Sequence, residues 1–367
     1  MKNVTTIIAA IILLYAVSGC KKNNDLSSGA ALQDQGDNAM ARRSHKQDYE
    51  QVNLVSDTAG FGASRTDANL NNAWGIAFGE SGALWISSNH TGSAVIYDKN
   101  GAQLRQPIAI PFGSIHNGAS PTGVVFNNTQ NFIIPANGQK SHFIFATEDG
   151  ILSAWSSGNS SITVADRSAT GAVYKGIALA KDGGTNFLYV TNFNAAKIDV
   201  YDQSFNLVSK PFSDPTIPAG FAPFNIANIG GKLYVTYALQ KPDHHDDQAG
   251  PGNGYVNIFN PDGSFVRRFT SQGMLNSPWG ITQADKEFGL TENSILIGNF
   301  GDGRINVYDA TGTFQGKLQD EEHEIVIDGL WTIAFPSNNA NSSSSRLYFT
   351  AGQNEESHGL FGYLKKK

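Results

Sequence analysis

Short runs of apolar, β-branched and aromatic residues recur along most of this chain. Gly, Asn, Asp or Pro interrupts them every few residues, and no long 3.6-residue period stands out. That pattern predicts strands joined by tight turns, hence an all-β fold from about Tyr49 onward. The runs also repeat. WGIAF (74–78), TGVVF (122–126), KGIAL (175–179), FNIAN (224–228), WGITQ (279–283) and WTIAF (331–335) align. Their third residues, Ile76, Val124, Ile177, Ile226, Ile281 and Ile333, lie 48, 53, 49, 55 and 52 residues apart. A second run follows each, as in LWISSN (84–89), LYVTNF (188–193) and LYFTAG (347–352). A third comes after a loop, as in SAVIYD (93–98), KIDVYD (197–202) and RINVYD (304–309), and a weaker fourth closes most units.

Units of this length with four strands each predict a six-bladed β-propeller. The last unit has only three runs, so YEQVNLVSD (49–57) is expected to supply its outer strand and close the ring. Residues 49–367 are then one propeller domain. The acidic turns YDKNG (97–101), FNPDG (259–263) and YDATG (308–312) are explained by hairpin geometry without any cation.

The N-terminus follows other rules. MKNVTTIIAAIILLYAVSGC carries a lysine and then an apolar run too short to span a bilayer comfortably, the form of an export signal. Its end, Val17-Ser18-Gly19-Cys20, resembles the lipobox of bacterial lipoproteins. That resemblance implies a signal peptide over 1–19 and a lipid on Cys20, the sole cysteine, which excludes disulfides within the chain. The lysines after Cys20 favour the outer membrane. Residues 20–48 are polar and aperiodic, and so are expected to form a disordered tether. The membrane is then a partner only through the lipid. A net charge of −6 (26 Lys and Arg against 32 Asp and Glu) argues against nucleic acid.

Propeller geometry locates the candidate chemistry. Loops leading into the first strand of a blade and loops joining its second and third strands emerge on one face. That face is predicted to carry His90, Glu148, Asn192, Asp302 and His358, together with the loop QKPDHHDDQAGPGNG (240–254). Trp74, Lys175, Phe224, Trp279 and Trp331 are expected at the channel mouth beside them. Candidate ligand-binding residues are therefore Trp74, His90, Glu148, Asn192, Asp246, Asp247, Trp279, Asn299, Asp302, Trp331 and His358. Candidate metal ligands are Glu148, Asn192, His244, Asp246, Asp247 and Asn299, whose oxygen and imidazole donors suit calcium or zinc. Structural roles compete with each assignment: the tryptophans as plugs between blades, Asn192 and Asn299 as turn-backbone partners, the HHDD insertion as a solvated loop. No nucleophile elbow, P-loop or dinucleotide fingerprint is present.

The repeated GIAF, LYVTN, I-x-VYD pattern resembles NHL-type six-bladed propellers. The blocks APFNIANIGGKLYVTYALQKPDHHDDQAGPGNGYVNIF and SPWGI with ILIGNFGDGRINVYD resemble a family of exported bacterial NHL-like propellers. This resemblance covers 49–364 and implies fold and export rather than an activity. Similarity to the wider superfamily brings in gluconolactonase-like lactonases, where a central divalent metal is held by Glu, Asn, Asn and Asp. Glu148, Asn192 and Asn299 are loosely placed to imitate that set. Two functions follow as expectations: a monomeric propeller that binds a small molecule or protein on its polar face, or a metal-dependent hydrolase or lactonase.

Overall fold

The computed structural model describes residues 48–321, 323–336 and 344–367. The signal-like segment 1–19, Cys20 and the polar stretch to residue 47 lie outside the described residues. The body is all-β, six sheets in a propeller. Blade one is Ala73–Phe78, Leu84–Ser88, Ser93–Tyr97 and Gln103–Ala109, antiparallel in that order from the inside out. Blades two to five follow the same plan, starting at Pro121–Phe126, Tyr174–Asp182, Phe221–Ile229 and Pro278–Gln283. Blade six takes Leu330–Ala334, Arg346–Gln353 and His358–Lys366 from one end of the chain and Tyr49–Ser56 from the other.

That last pairing closes the ring as the repeat pattern requires. Val52 pairs with Tyr363 and Val55 with Phe361, with a bulge between Asn53 and Val55. A two-residue strand, Arg65–Thr66, adds in parallel outside Val55–Ser56 and covers the sheet edge. Large side chains fill the wedges between blades. Trp85 of blade one, for instance, stacks on Phe143 of blade two at 3.9 Å between ring centres.

Every inner strand carries the same irregularity. Its pairing with the second strand loses register near its start, between Ala73 and Ile76 in blade one, Tyr174 and Ile177 in blade three, and Pro278 and Ile281 in blade five. Such a bulge frees an inner-strand amide and re-aims a side chain. The threonine of the LYVT runs takes that amide: Gly176 N–H donates to Thr191 Oγ1 at 2.7 Å and Thr332 N–H to Thr350 Oγ1 at 3.2 Å. Each hydroxyl then donates across to the next blade, Thr191 to the Phe224 carbonyl at 3.0 Å and Thr350 to that of Trp74.

Neighbouring inner strands come so close at the bulge that only glycine fits in several blades. A Cβ on Gly75 would lie 2.5 Å from the Thr122 carbonyl oxygen and 3.0 Å from Val124 N. Where FNIAN puts Asn225 in place of that glycine, its amide bridges to the Trp279 carbonyl at 2.8 Å. Gly75→Ala is therefore expected to lower the unfolding free energy by about 1–3 kcal/mol, the usual cost of overpacking. Urea titration reads it, and an unchanged midpoint would show that the blades are not held this tightly.

Candidate functional site

The residues re-aimed by the six bulges are Trp74, Thr122, Lys175, Phe224, Trp279 and Trp331. The aromatic ones meet on the propeller axis. Trp74 stacks on Trp331 at 3.7 Å, Trp279 packs edge-on to both at 5.1 Å, and Phe224 joins Trp279 at 5.0 Å. All three tryptophans are at most 2 % exposed. They plug the channel rather than line an open mouth.

Lys175 occupies in blade three the position that an aromatic ring holds in four other blades. Its side chain is 2 % exposed, with the ammonium 5.0 Å from the Trp74 ring centre and 5.9 Å from that of Phe193. A buried ammonium needs a counter-charge. Glu148 of the blade-two loop supplies it by direct ion pairing, and Asp246 of the blade-four loop stands 3.7 Å away. Burial works against the ammonium, but the Glu148 carboxylate more than offsets this and holds its pKa above the ordinary value. Asn89 donates to the other Glu148 oxygen at 2.9 Å.

The long blade-four loop is built to bring Asp246 there. Lys241 N–H donates to the Asp246 carbonyl at 2.8 Å and His244 N–H to the Lys241 carbonyl at 2.9 Å, making a tight turn with His244 at φ 60°. Farther along, Gly250 N–H donates to Asn276 Oδ1 at 2.7 Å, tying the loop to blade five. His245 Nδ1 lies 2.8 Å from Asp246 Oδ1. That bond, helped by Lys175, holds the Asp246 carboxyl down to about 2, and the same bond raises the His245 imidazole. Asp247 is buried, and its Oδ2 has no donor among the described residues. Burial raises its pKa, with Ser277 and the Lys175 charge pulling the other way.

Glu356 completes the cluster from blade six. Asn354, Glu355 and Glu356 all have left-handed backbone, at φ 51°, 54° and 65°. For non-glycine residues this costs roughly 1–2 kcal/mol each. The Asp328 carboxylate helps to hold the turn by accepting Asn354 N–H at 2.7 Å. The result directs Glu356 Oε2 onto Asn72 Nδ2 at 2.7 Å, while Asn72 Oδ1 accepts Trp331 Nε1–H at 3.0 Å. His90 Nε2 lies 3.3 Å from the same Asn72 amide. Burial, with the charge of Glu148 added, pushes the Glu356 carboxyl up to about 7 against the pull of the Asn72 bond.

The structure thus brings Glu148, Asp246, Asp247 and His90 to one place above the tryptophan plug. It puts the other candidates elsewhere. Asn192 donates to Asp199 at 2.9 Å and accepts from Ala195 N–H within blade three. Asn299 and Asp302 bond each other at 3.1 Å inside the blade-five turn, and Asn299 also donates to the Met274 carbonyl. His358 pairs with Asp57 at 3.0 Å, where the chain ends close the ring. His244 is exposed. Lys175, expected at the channel mouth, belongs to the site together with His245 and Glu356, and none of the three was among the candidate ligands. The available signal for Lys175 was a lone cation at a repeat position otherwise mostly aromatic.

Glu148, His245 and Asp246 offer ligand atoms within 4.8 Å of one another, the sole such trio among the described residues. They do not fit a divalent cation, because the Lys175 ammonium already stands between the two carboxylates, paired with Glu148 and 3.7 Å from Asp246, and a metal would have to displace it. Removing that ammonium by Lys175→Met should strand the largely buried Glu148 carboxylate and cost about 3–5 kcal/mol at pH 8. Adding Glu148→Gln should recover part of the loss in the same denaturation experiment. An additive double mutant would mean the pair is not coupled.

No family model matches the chain. Among solved structures, it is similar to a streptogramin B lyase (TM-score 0.52, 12 % identity, covering 87 % of this chain and 97 % of that one). It is also similar to a Bacteroides thetaiotaomicron protein of unknown function (0.53, 11 %, 87 % and 76 %). A third neighbour is the Fusarium graminearum GH93 α-L-arabinofuranosidase in complex with arabinobiose (0.53, 11 %, 82 % and 95 %). These likenesses show the fold. In sequence, the chain is 37 % identical over 332 residues to the uncharacterised protein L690 of Acanthamoeba polyphaga mimivirus, covering 86 % of this chain and 85 % of that one. It is 38 % identical over 321 residues to R648 of the same virus, covering 83 % and 77 %. The chain therefore belongs to the same propeller family as these two mimivirus proteins.

Proposed function

We propose that the face around Lys175 binds a small ligand rich in hydrogen-bonding groups, and that the protein is exported and lipid-anchored through Cys20. One observation carries the binding reading: polar groups from blades one, two, four and six gather around the single buried ammonium of blade three at the axis. Carboxylate acceptors alternate there with ammonium, amide and imidazole groups, an arrangement suited to a polyhydroxylated or amino-bearing molecule. Neighbours named as a lyase and as a glycosidase holding arabinobiose support this by fold-level analogy alone. Isothermal titration with neutral oligosaccharides, arabinobiose first, and with amino sugars tests it. The expected result is saturable binding that Asp246→Asn and Lys175→Met abolish; binding indifferent to both would place the ligand elsewhere.

A second reading, a proton-transfer enzyme, rests on two carboxyls whose surroundings push them apart, Asp246 to about 2 and Glu356 to about 7. Such a split is how one site keeps a base and an acid at neutral pH. A metal-dependent hydrolase is disfavoured by Lys175. Stoichiometric calcium or zinc in the purified protein, or a melting temperature lowered by EDTA, would restore it.

Anchoring rests on the VSGC segment at 17–20; among the described residues no helix is long and apolar enough to cross a membrane. Cys20→Ser should abolish incorporation of labelled palmitate and release the protein into the soluble fraction.

Glu356 also sets a pH dependence. Its folded pKa is raised above the unfolded value, so its carboxyl costs nothing at pH 4. Stability is lost as pH climbs from about 4.5 to about 7, where the unfolded chain ionises first. Glu356→Gln keeps an acceptor for Asn72 and removes that penalty. It should raise stability by on the order of 2 kcal/mol at pH 8 and leave it unchanged at pH 4. Equal effects at both pH values would refute the assignment.

A further inference from the structure

The tryptophan plug closes the channel at one end only. From the other end the six inner strands enclose a well of about 890 Å³. This lies within the range of small-molecule sites. Its narrow part is walled by the repeat residues Ile76, Val124, Ile177, Ile226, Ile281 and Ile333, one from each blade. Toward the mouth, strand alternation brings Phe78, Phe126, Leu179 and Phe335 onto the same wall.

Blade three extends this alternation by one step, Ile177, Leu179, Lys181. Lys181 is the sole charged residue among those that line the well. Its sequence neighbour Asp182 pairs at 2.6 Å with Lys210, and no described acidic residue pairs with Lys181. The other polar side chains that line it are amides and hydroxyls, among them Asn128, Thr129, Gln130, Asn186, Asn228 and Thr282. A one-ended well of mixed apolar and hydrogen-bonding surface with a single cation at its lip is complementary to one kind of molecule.

We propose that this well is a second binding site, for an amphipathic molecule with an apolar ring body, hydrogen-bonding groups and one anionic group, its body between the isoleucines and the lining amides and its charge on Lys181. The site is independent of the Lys175 face, since the plug separates them.

8-Anilinonaphthalene-1-sulfonate is a suitable probe, with neutral N-phenyl-1-naphthylamine beside it. Fluorescence titration of the whole protein should give one saturable sulfonate site per chain. Lys181→Glu, an exposed change, should weaken sulfonate binding at least ten-fold and leave the neutral amine unaffected. Lys140→Glu, the same charge change outside the well, should alter neither. Ile177→Trp, which fills the narrow part, should weaken both probes. Non-saturable binding, or equal effects of Lys181→Glu and Lys140→Glu, would overturn the proposal. If Ile177→Trp fails to fold, the two lysine variants still decide it.

Discussion

The bulge near the start of each inner strand is the constraint on which the rest of this molecule depends. Six strands crowded around one axis cannot all run flat against their second strands and still pack sideways. Losing register by a step solves this locally, at the cost of an unpaired amide. The threonines at 191, 236 and 350 take that amide, and those at 191 and 350 return a hydroxyl proton to the next blade. The same step turns one side chain per blade toward the axis. Fold and site therefore share an origin, since the plug and Lys175 are residues of the same repeat position.

This shared position explains what could be read in advance. The blade count, the borrowed outer strand and the polar loop face follow from periodicity, because WGIAF-like and LYVTN-like runs serve packing and recur for that reason. Glu148 and Asp246 were legible because acidic residues in second-to-third loops of a propeller must lie on one face. Asn192, Asn299, Asp302 and His358 sit in the same loops and have the same chemistry, yet they bond to their own blade or to the closing strand. Sequence could not separate these groups. Whether a turn residue points along its turn or toward the axis depends on backbone torsions such as φ 60° at His244. It is His245, not the adjacent His244, that reaches Asp246.

The plug divides the channel into two environments of opposite kind. On the loop side, Lys175 is sealed against Trp74 and Phe193 beneath carboxylates from two other blades. On the far side isoleucines alternate with amides and hydroxyls along the wall, and the charge stands at the lip.

Strain and burial at Glu356 point the same way. Three consecutive left-handed residues would be removed by almost any relaxation of the Asn354–Ser357 turn, at a gain of several kcal/mol by the usual cost per residue. Relaxation is opposed by contacts that converge on Asn72, which joins the Glu356 carboxylate to the indole of Trp331. A surface turn has no need of such an arrangement, because water would solvate its carboxylate freely. Burial raises the Glu356 carboxyl toward neutrality, while His245 and Lys175 hold the Asp246 carboxyl near 2. That arrangement lowers stability, and the proposed ligand-binding role gives it a reason that packing does not.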